Sequence, residues 1–340
     1  MDSKLISKYR APLMGAAMIS VMLFHYFMDM ESFVDPTSAL FLALRSYRHA
    51  ICSTGVDIFV FLAGMGLYFS FSGKEDLRGF YSRRILRLVV PYCLIAAVFW
   101  YIRVILVNGQ GKRMLLKNFL FLTLFTDGVT TFWYIFLSIV MYALFPVFYY
   151  LFQKKPLRQV SFLLILILCF AAIIGMDRMW NEEYMKIYIC IHRVPGFLIG
   201  IYCGKPIKEG RKIPLWAVWA YILLAGVFWY GTTVADTPTS VWHIALGFWG
   251  FAEMLLLTLL FSKLPEGNPV SRVFGRIGKY TLELYMIHVA VRNLLAATGH
   301  TMDVLGPKWI LSVVLVFLLS IGFHECYDRA LKYLPSERVR

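Results

Sequence analysis

Runs of apolar residues, each about 20 residues long, recur along the whole chain and alternate with short segments that carry most of the charge. A helix of this length crosses the hydrocarbon core of a bilayer, which is about 30 Å thick. The pattern therefore predicts ten membrane-spanning helices. They are residues 11–30, 51–71, 88–107, 132–152, 159–176, 191–204, 213–231, 240–262, 280–299 and 309–324.

Composition and spacing together predict one all-α domain, residues 1–340, folded as a polytopic membrane helix bundle. The chain is 59% hydrophobic with a mean hydropathy of +0.66, and no segment between the runs is long enough for a separate soluble domain. The run at 191–204 is short for a full crossing. Residues 119–126 form an extra apolar piece that we expect to be re-entrant or interfacial.

The basic residues predict that both chain ends lie in the cytoplasm. With the N-terminus inside, 23 of the 34 Lys and Arg residues fall in inner segments and 8 in outer ones. Cytoplasmic segments of membrane proteins carry such an excess. The formal net charge of +14 is therefore a signal of topology, and we expect no binding to nucleic acid.

Several kinds of chemistry find no support in the sequence. The six cysteines are scattered without a C-x-x-C pair, and the histidines form no cluster with zinc-ligand spacing. We therefore expect neither a disulfide framework nor a metal site. The chain shows no convincing internal repeat, which disfavours a transporter built from two inverted halves.

Three arginines mark the start of the third span: Arg83, Arg84 and Arg87. Helical spacing would place them on neighbouring faces at the cytoplasmic end of the span. Guanidinium groups bind phosphate through two parallel hydrogen bonds and stay charged, so the cluster suits a phosphorylated ligand. The alternative is a topological signal that holds the preceding loop in the cytoplasm.

Two polar residues inside spans are candidates for catalysis. His25 lies in the first span and Asp57 in the second. Buried polar groups are costly in a membrane unless they are paired, and His25 is a candidate donor to Asp57. An Asp–His pair orients the imidazole and raises its basicity, as general-base catalysis requires. A purely structural contact between the two helices is the alternative.

Further polar and aromatic residues in spans are candidates for substrate contact. Arg193 opens the sixth span, where glycines at 196, 200 and 204 indicate close helix packing. Glu253 lies in the eighth span and His288 in the ninth, and the pair Trp133 and Tyr134 starts the fourth. Together these residues fit a membrane enzyme that uses a phosphorylated cytosolic substrate, or a carrier of an anionic solute.

Six motifs follow one another along the chain. They are Met14-Gly15 with Phe24–Tyr26, Gly55–Gly64 (GVDIFVFLAG), Arg84-x-x-Arg87 with Pro91-Tyr92, Phe132–Ile135 with Tyr142–Pro146, Arg193 with Phe197–Gly200, and Gly278–His288. In this order they resemble the acyltransferase 3 family, bacterial integral-membrane O-acyltransferases that modify surface sugars. The likeness runs from about residue 9 to residue 325. Met14 and Ala63 depart from the family pattern, which usually has Arg or Lys at the first position and Ser at the second.

The resemblance implies transfer of an acyl group, with acetyl expected, from acyl-CoA to a hydroxyl of a cell-surface or lipid-linked carbohydrate. His25 would remove the hydroxyl proton or carry the acyl group transiently, and Asp57 would orient or polarise it. The protein would then be a multi-pass protein of the inner (cytoplasmic) membrane, in contact with the bilayer, and would need no metal.

The resemblance also implies which residues bind the ends of the substrates. The CoA phosphates would dock on Arg84 and Arg87 from the cytoplasm, with Arg83 and Arg10 nearby. The groups expected to contact the acceptor or the transition state are Arg193, Tyr134, Trp133, His288 and Glu253. Two other functions stay open at this point: a transporter or flippase of an anionic or lipid-linked substrate, and a catalytically inactive relative within a polysaccharide-export complex.

Overall fold

The computed structural model describes residues 1–31, 33–153, 157–235, 237–297 and 307–333. The described residues are 84% helical and form no strand. Its α-helices, in chain order, are α1 (Lys4–Lys8), α2 (Arg10–Glu31), α3 (Ala39–Tyr47), α4 (Gly55–Phe71), α5 (Leu77–Arg84), α6 (Val90–Trp100), α7 (Lys112–Phe119), α8 (Leu122–Asp127), α9 (Trp133–Leu151), α10 (Arg158–Met179), α11 (Asn181–Ile191), α12 (Val194–Glu209), α13 (Leu215–Val234), α14 (Thr239–Lys263), α15 (Pro269–Lys279), α16 (Thr281–Ala297) and α17 (Pro307–Lys332).

Nine helical stretches in the described part of the chain are long and apolar enough to cross a membrane. They correspond to nine of the ten predicted spans and confirm the polytopic helical bundle. The remaining predicted span, residues 280–299, contains α16. This helix has 17 residues and extends about 25 Å, slightly less than the hydrocarbon core. Residues 298 and 299 lie outside the described part.

Three membrane helices begin earlier than the apolar runs predicted. Helical structure starts at Ala39 before the second span, at Leu77 before the third and at Asn181 before the sixth. The prediction of a short sixth span is therefore wrong, because the stretch Asn181–Glu209 has 29 residues. The physical reason is that helix formation continues through the more polar turns at the ends of a span, which a hydropathy pattern leaves out.

The helices group into two compact units. Unit 1 comprises Met1–Lys74 with Leu144–Lys279, and unit 2 comprises Glu75–Ala143 with Tyr280–Arg340. The division falls inside α9. The single domain expected from the sequence stays a prediction.

Within unit 1, α4 and α12 lie side by side and run in the same direction, because Gly196 faces Val60 and, two turns further along both helices, Gly204 faces Tyr68. A methyl group added at Gly200 would lie 2.2 Å from the Phe61 carbonyl oxygen, and one added at Gly64 would lie 2.3 Å from that of Phe197. Only glycine permits such an approach of two helix backbones. The parallel direction agrees with the prediction that these helices belong to the second and sixth spans, which cross the membrane in the same sense.

Helices α2 and α15, also in unit 1, approach each other as closely. A methyl group at Gly15 would lie 1.9 Å from the Phe274 carbonyl oxygen, and one at Gly278 would lie 2.0 Å from that of Ala11. Because α2 carries His25, this contact fixes the helix on which the predicted base lies.

Segments of unit 1 that were predicted to be cytoplasmic lie next to one another. The N-terminal ammonium of Met1 donates to the Ile213 carbonyl at 2.5 Å. Lys8 Nζ lies 2.5 Å from Glu266 Oε1. The first residues therefore contact the segments before α13 and before α15, as expected if all three are on the same side of the membrane.

Unit 2 is held together by aromatic packing and by polar contacts between its last two helices. The Tyr92 ring stacks on Phe121 with centroids 4.8 Å apart, and its hydroxyl donates to the Phe119 carbonyl. Residues 119–126 run from the end of α7 through a two-residue turn into α8, and both helices are too short to span a bilayer. Helices α16 and α17 meet where His324 Nδ1 lies 3.0 Å from Glu283 Oε1.

We expect Gly15→Ala to destabilise the protein, because the added methyl group would force α2 and α15 apart. Overpacking of this kind costs about 1–3 kcal/mol. Gly175→Ala is the matched control, since Gly175 is also helical and nothing lies near its added methyl group. That variant should be neutral or slightly stabilising. Thermal unfolding of both proteins in the same detergent makes the comparison, and equal midpoints would contradict the close contact.

Candidate functional site

A buried ion pair joins two membrane helices of unit 1. Asp57 Oδ1 lies 3.5 Å from Arg193 Nε, and the two side chains are 9% and 8% exposed. Asp57 is in the first turn of α4, where the helix dipole favours a negative charge. Arg193 directly precedes α12. The ion-pair partner of Asp57 is thus an arginine, and the predicted pairing of Asp57 with His25 stays a prediction.

Glycines of α14 make room for the carboxylate. A methyl group at Gly250 would lie 2.8 Å from Asp57 Cβ, and one at Gly247 would lie 3.9 Å from Asp57 Oδ1. A larger side chain at Gly250 would push α14 away from α4. The Asp57 carboxylate therefore sits where α4, α12 and α14 come together.

A cavity of about 150 Å³ opens beside the Asp57 carboxylate within unit 1. Its lining is mostly apolar and aromatic and comes from α4, α10, α12, α13 and α14 and from the turn before α12, with Phe61, Phe248 and Phe251 among its residues. The ionisable residues in the lining are Asp57, His192 and Tyr221. An apolar cavity with a few polar groups is typical of a small-molecule site.

His192 belongs to a histidine cluster that the sequence analysis missed. Its Nδ1 lies 2.6 Å from the Tyr188 carbonyl and its Nε2 lies 3.0 Å from the Tyr184 hydroxyl. The carbonyl can only accept, so Nδ1 carries the proton and Nε2 accepts from Tyr184. The ring stacks on His243 with centroids 4.6 Å apart. The sequence did contain a sign that His192 lies at the site, because His192 directly precedes the predicted site residue Arg193.

Glu253 is bound to the start of α4. The Thr54 hydroxyl donates to Glu253 Oε2, and one turn earlier in α14 the Trp249 indole donates to the Ala50 carbonyl at 2.7 Å. Thr54 is fully buried. Glu253 therefore helps to fix the end of α4 that carries Asp57, and its predicted contact with substrate or transition state stays a prediction.

The predicted base and one predicted phosphate ligand lie on α2. His25 is half-buried, and its ring packs edge-on against Phe24. Arg10, at the start of α2, is exposed. A methyl group added at Gly66 of α4 would lie 2.7 Å from the Arg10 guanidinium. Glycine at this position therefore lets the Arg10 side chain lie across α4.

The arginine cluster lies in unit 2, at the start of the third span. The Arg84 guanidinium lies over the rings of Phe80 and Tyr142, at 5.3 and 5.6 Å from their centroids. Such contacts hold a cation by attraction to the ring faces. Arg83 Nη1 would lie 2.9 Å from a methyl group at Gly79. Arg87 is exposed.

The backbone at this cluster differs from the sequence prediction. Residues Ile85–Val89 form a π-helical segment between α5 and α6. Its hydrogen bonds join residues five apart, so the turn that contains Arg87 is wider than an α-helical turn. The neighbouring faces predicted for the arginines stay a prediction. The Leu86 carbonyl, within the segment, accepts a hydrogen bond of 2.6 Å from the Tyr327 hydroxyl. A π-helical turn inside a membrane helix is frequent at functional sites.

Two further predicted residues of unit 2, Tyr134 and His288, pack against Tyr285. The backbone N–H of Tyr134 donates to the Tyr285 hydroxyl at 3.4 Å, and the two rings pack edge to face. His288 lies one turn further along α16, with its ring centroid 6.1 Å from that of Tyr285. Trp133 packs edge to face against Tyr134. Trp133 and His288 are buried.

We expect the Asp57–Arg193 pair to show strong coupling in a double-mutant cycle. Asp57→Asn or Arg193→Gln leaves one buried charge without its partner, which costs about 3–5 kcal/mol. The double variant should lose less stability than the sum of the two single variants. The free energy of unfolding in detergent checks this, with Arg178→Gln, at an exposed arginine, as the neutral control. Additive losses would mean that the two charges do not interact.

No curated protein and no solved structure matches the chain. The model of the acyltransferase 3 family (Acyl_transf_3), described as an acyltransferase domain, matches residues 15–324. The match takes in most of the 340 residues, among them the ion pair, the arginine cluster and His25. It confirms the resemblance carried by the six motifs. This multi-pass membrane protein therefore belongs to the acyltransferase 3 family of membrane acyltransferases.

Proposed function

We propose that this protein transfers an acyl group, most simply acetyl, from acyl-CoA to a hydroxyl of a carbohydrate acceptor at the cytoplasmic membrane. The observation that carries the proposal is the family match over residues 15–324. It supports acyl transfer by a membrane enzyme. The choice of acyl-CoA as donor rests on the arginine cluster, and the choice of a carbohydrate acceptor rests on the resemblance of the six motifs.

The arginine cluster supports a donor that carries phosphates. Arg87 is exposed in the π-helical segment, and Arg84 is held between two aromatic rings. The guanidinium group of arginine carries a positive charge and five N–H donors. CoA carries several phosphate oxygens, which arginine binds through charge-assisted hydrogen bonds. The predicted topology puts this cluster on the cytoplasmic side, where acyl-CoA is made.

The proposed reaction forms one bond and breaks another. The acceptor oxygen attacks the acyl carbonyl carbon, a C–O bond forms, and the C–S bond to CoA breaks. His25 takes the hydroxyl proton as general base and returns it to the departing sulfur, so CoA leaves as the thiol.

The Asp57–Arg193 pair supplies a positioned cation in this scheme. A tetrahedral intermediate carries negative charge on the former carbonyl oxygen, and hydrogen-bond donors stabilise it best when they are already in place. Asp57 restricts the Arg193 side chain by pairing with its Nε. We assign the role of donor to Arg193 and the role of positioning residue to Asp57.

We expect His25→Ala to abolish transfer while the protein still folds. Loss of a general base lowers the rate about 10²- to 10⁴-fold. Release of CoA thiol by purified protein, together with mass spectrometry of the acylated acceptor, measures the effect. Gel filtration and thermal unfolding establish that the variant is folded. Full activity in a folded His25→Ala protein would remove His25 from the mechanism.

We expect Arg87→Gln to weaken binding of acyl-CoA without changing the chemical step. Loss of one charge-assisted hydrogen bond is worth about 1.5–3 kcal/mol, so KM for acyl-CoA should rise about tenfold or more while kcat changes little. Arg78→Gln is the matched control, since Arg78 is an exposed arginine one and a half turns before Arg84 in the same helix. A fall in kcat at unchanged KM would contradict a role for Arg87 in donor binding.

A further inference from the structure

The cavity beside Asp57 contains an acceptor that no protein group uses. Asp57 Oδ1 faces Arg193, but the other oxygen, Oδ2, is buried without a hydrogen-bond partner in the described part of the chain. The side chain is 9% exposed. A buried polar atom without a partner costs about 1–3 kcal/mol, so an occupant of the cavity that donates to Oδ2 would gain from it.

The other polar groups of the lining are already engaged. His192 uses both ring nitrogens, one on the Tyr188 carbonyl and one on the Tyr184 hydroxyl. The Tyr221 hydroxyl donates to the Phe248 carbonyl at 3.0 Å. An occupant would therefore meet apolar and aromatic surface everywhere except at Asp57.

The charge and size of the site further restrict which molecules it can bind. Arg193 already balances the Asp57 charge, so a second cation gains little, whereas a neutral hydroxyl can donate to Oδ2 at no electrostatic cost. A cavity of about 150 Å³ is large enough for a molecule the size of benzene. A lone water would satisfy Oδ2 but would leave the aromatic lining without contacts.

We propose that this cavity binds a compact hydrophobic alcohol or phenol, or the hydroxyl-bearing hydrophobic end of a larger molecule, with its O–H donating to Asp57 Oδ2. The site is separate from the proposed acyl transfer in that binding requires no acyl-CoA. It shares Asp57 with the proposed mechanism, so an occupant would contact the carboxylate that positions Arg193.

Binding of two probes of equal shape tests the proposal. The probes are 4-fluorophenol and 4-fluorotoluene, which differ only in a hydroxyl and a methyl group. Fluorine NMR of each probe is recorded with the full-length protein in lipid nanodiscs and with empty nanodiscs, which measure partition into lipid. We expect protein-dependent binding of 4-fluorophenol and about tenfold weaker binding of 4-fluorotoluene, the effect of one hydrogen bond to a charged group.

Two glycine variants locate the site. Gly247 lines the cavity, and its added methyl group would make only an ordinary contact at 3.9 Å, so Gly247→Val should fill the cavity and abolish binding. Gly247→Ala is the milder form if the valine variant does not fold, and it should weaken binding. Gly231→Val is the matched control on α13, because nothing lies near that glycine.

Three results would overturn the proposal. Equal affinity for the two probes would mean that the site does not recognise a hydrogen-bond donor. Binding that a folded Gly247 variant leaves unchanged would place the probes elsewhere in the protein. A signal no larger than that of empty nanodiscs would mean that the protein does not bind the probes. Since neither probe nor readout involves CoA, failure here leaves acyl transfer standing, and failure of acyl transfer leaves this site standing.

Discussion

Charge inside a membrane helix is the constraint around which unit 1 is arranged. Asp57, in the first turn of α4, and Arg193, directly before α12, are both buried in segments that cross the bilayer, and either charge alone would destabilise the fold. Pairing them requires α4 and α12 to lie within side-chain reach. Glycines at the contacts between α4, α12 and α14 allow that distance. The ion pair therefore depends on the glycine contacts, because only the close approach of the helices brings the two charges together.

Three arginines of the described residues lie where the helix geometry is irregular. The three π-helical segments of the described chain contain Arg48, Arg87 and Arg103. A π-helical turn weakens the regular hydrogen-bond ladder and redirects side chains. At Leu86 the affected carbonyl is bonded by a tyrosine of α17. At Arg48 the side chain makes a bidentate ion pair with Glu31, at 2.7 and 2.8 Å. In the segments that contain Leu86 and Arg48, the irregular backbone therefore coincides with a specific side-chain contact.

The buried polar groups of this protein fall into two kinds. Pairs such as Thr54 with Glu253 and Trp249 with Ala50 have their hydrogen bonds within the fold and hold helices together. Asp57 belongs to the second kind, the side chains with a buried atom that has no hydrogen-bond partner in the described residues: Oδ1 faces Arg193, and Oδ2 has no partner. An apolar residue at this position, beside a cavity, would avoid the cost of burying an oxygen atom without a partner. The presence of an aspartate there is the physical reason to look for a ligand.

The sequence by itself determined the membrane bundle, the approximate spans and the residues worth examining. Hydropathy is read over about 20 neighbouring residues, and each of the six motifs is a short run of sequence. Both can therefore be recognised without knowing which helices are neighbours, and the family match confirmed the resemblance of the motifs. Only the tertiary structure decided that Asp57 pairs with Arg193, that Arg10 lies across Gly66 and that His192 joins a histidine cluster. Those contacts join residues far apart in the chain, so they depend on which helices are neighbours and how each is rotated. The contact at the π-helical turn near Arg87 also joins distant residues, because the Leu86 carbonyl accepts a hydrogen bond from Tyr327 of α17.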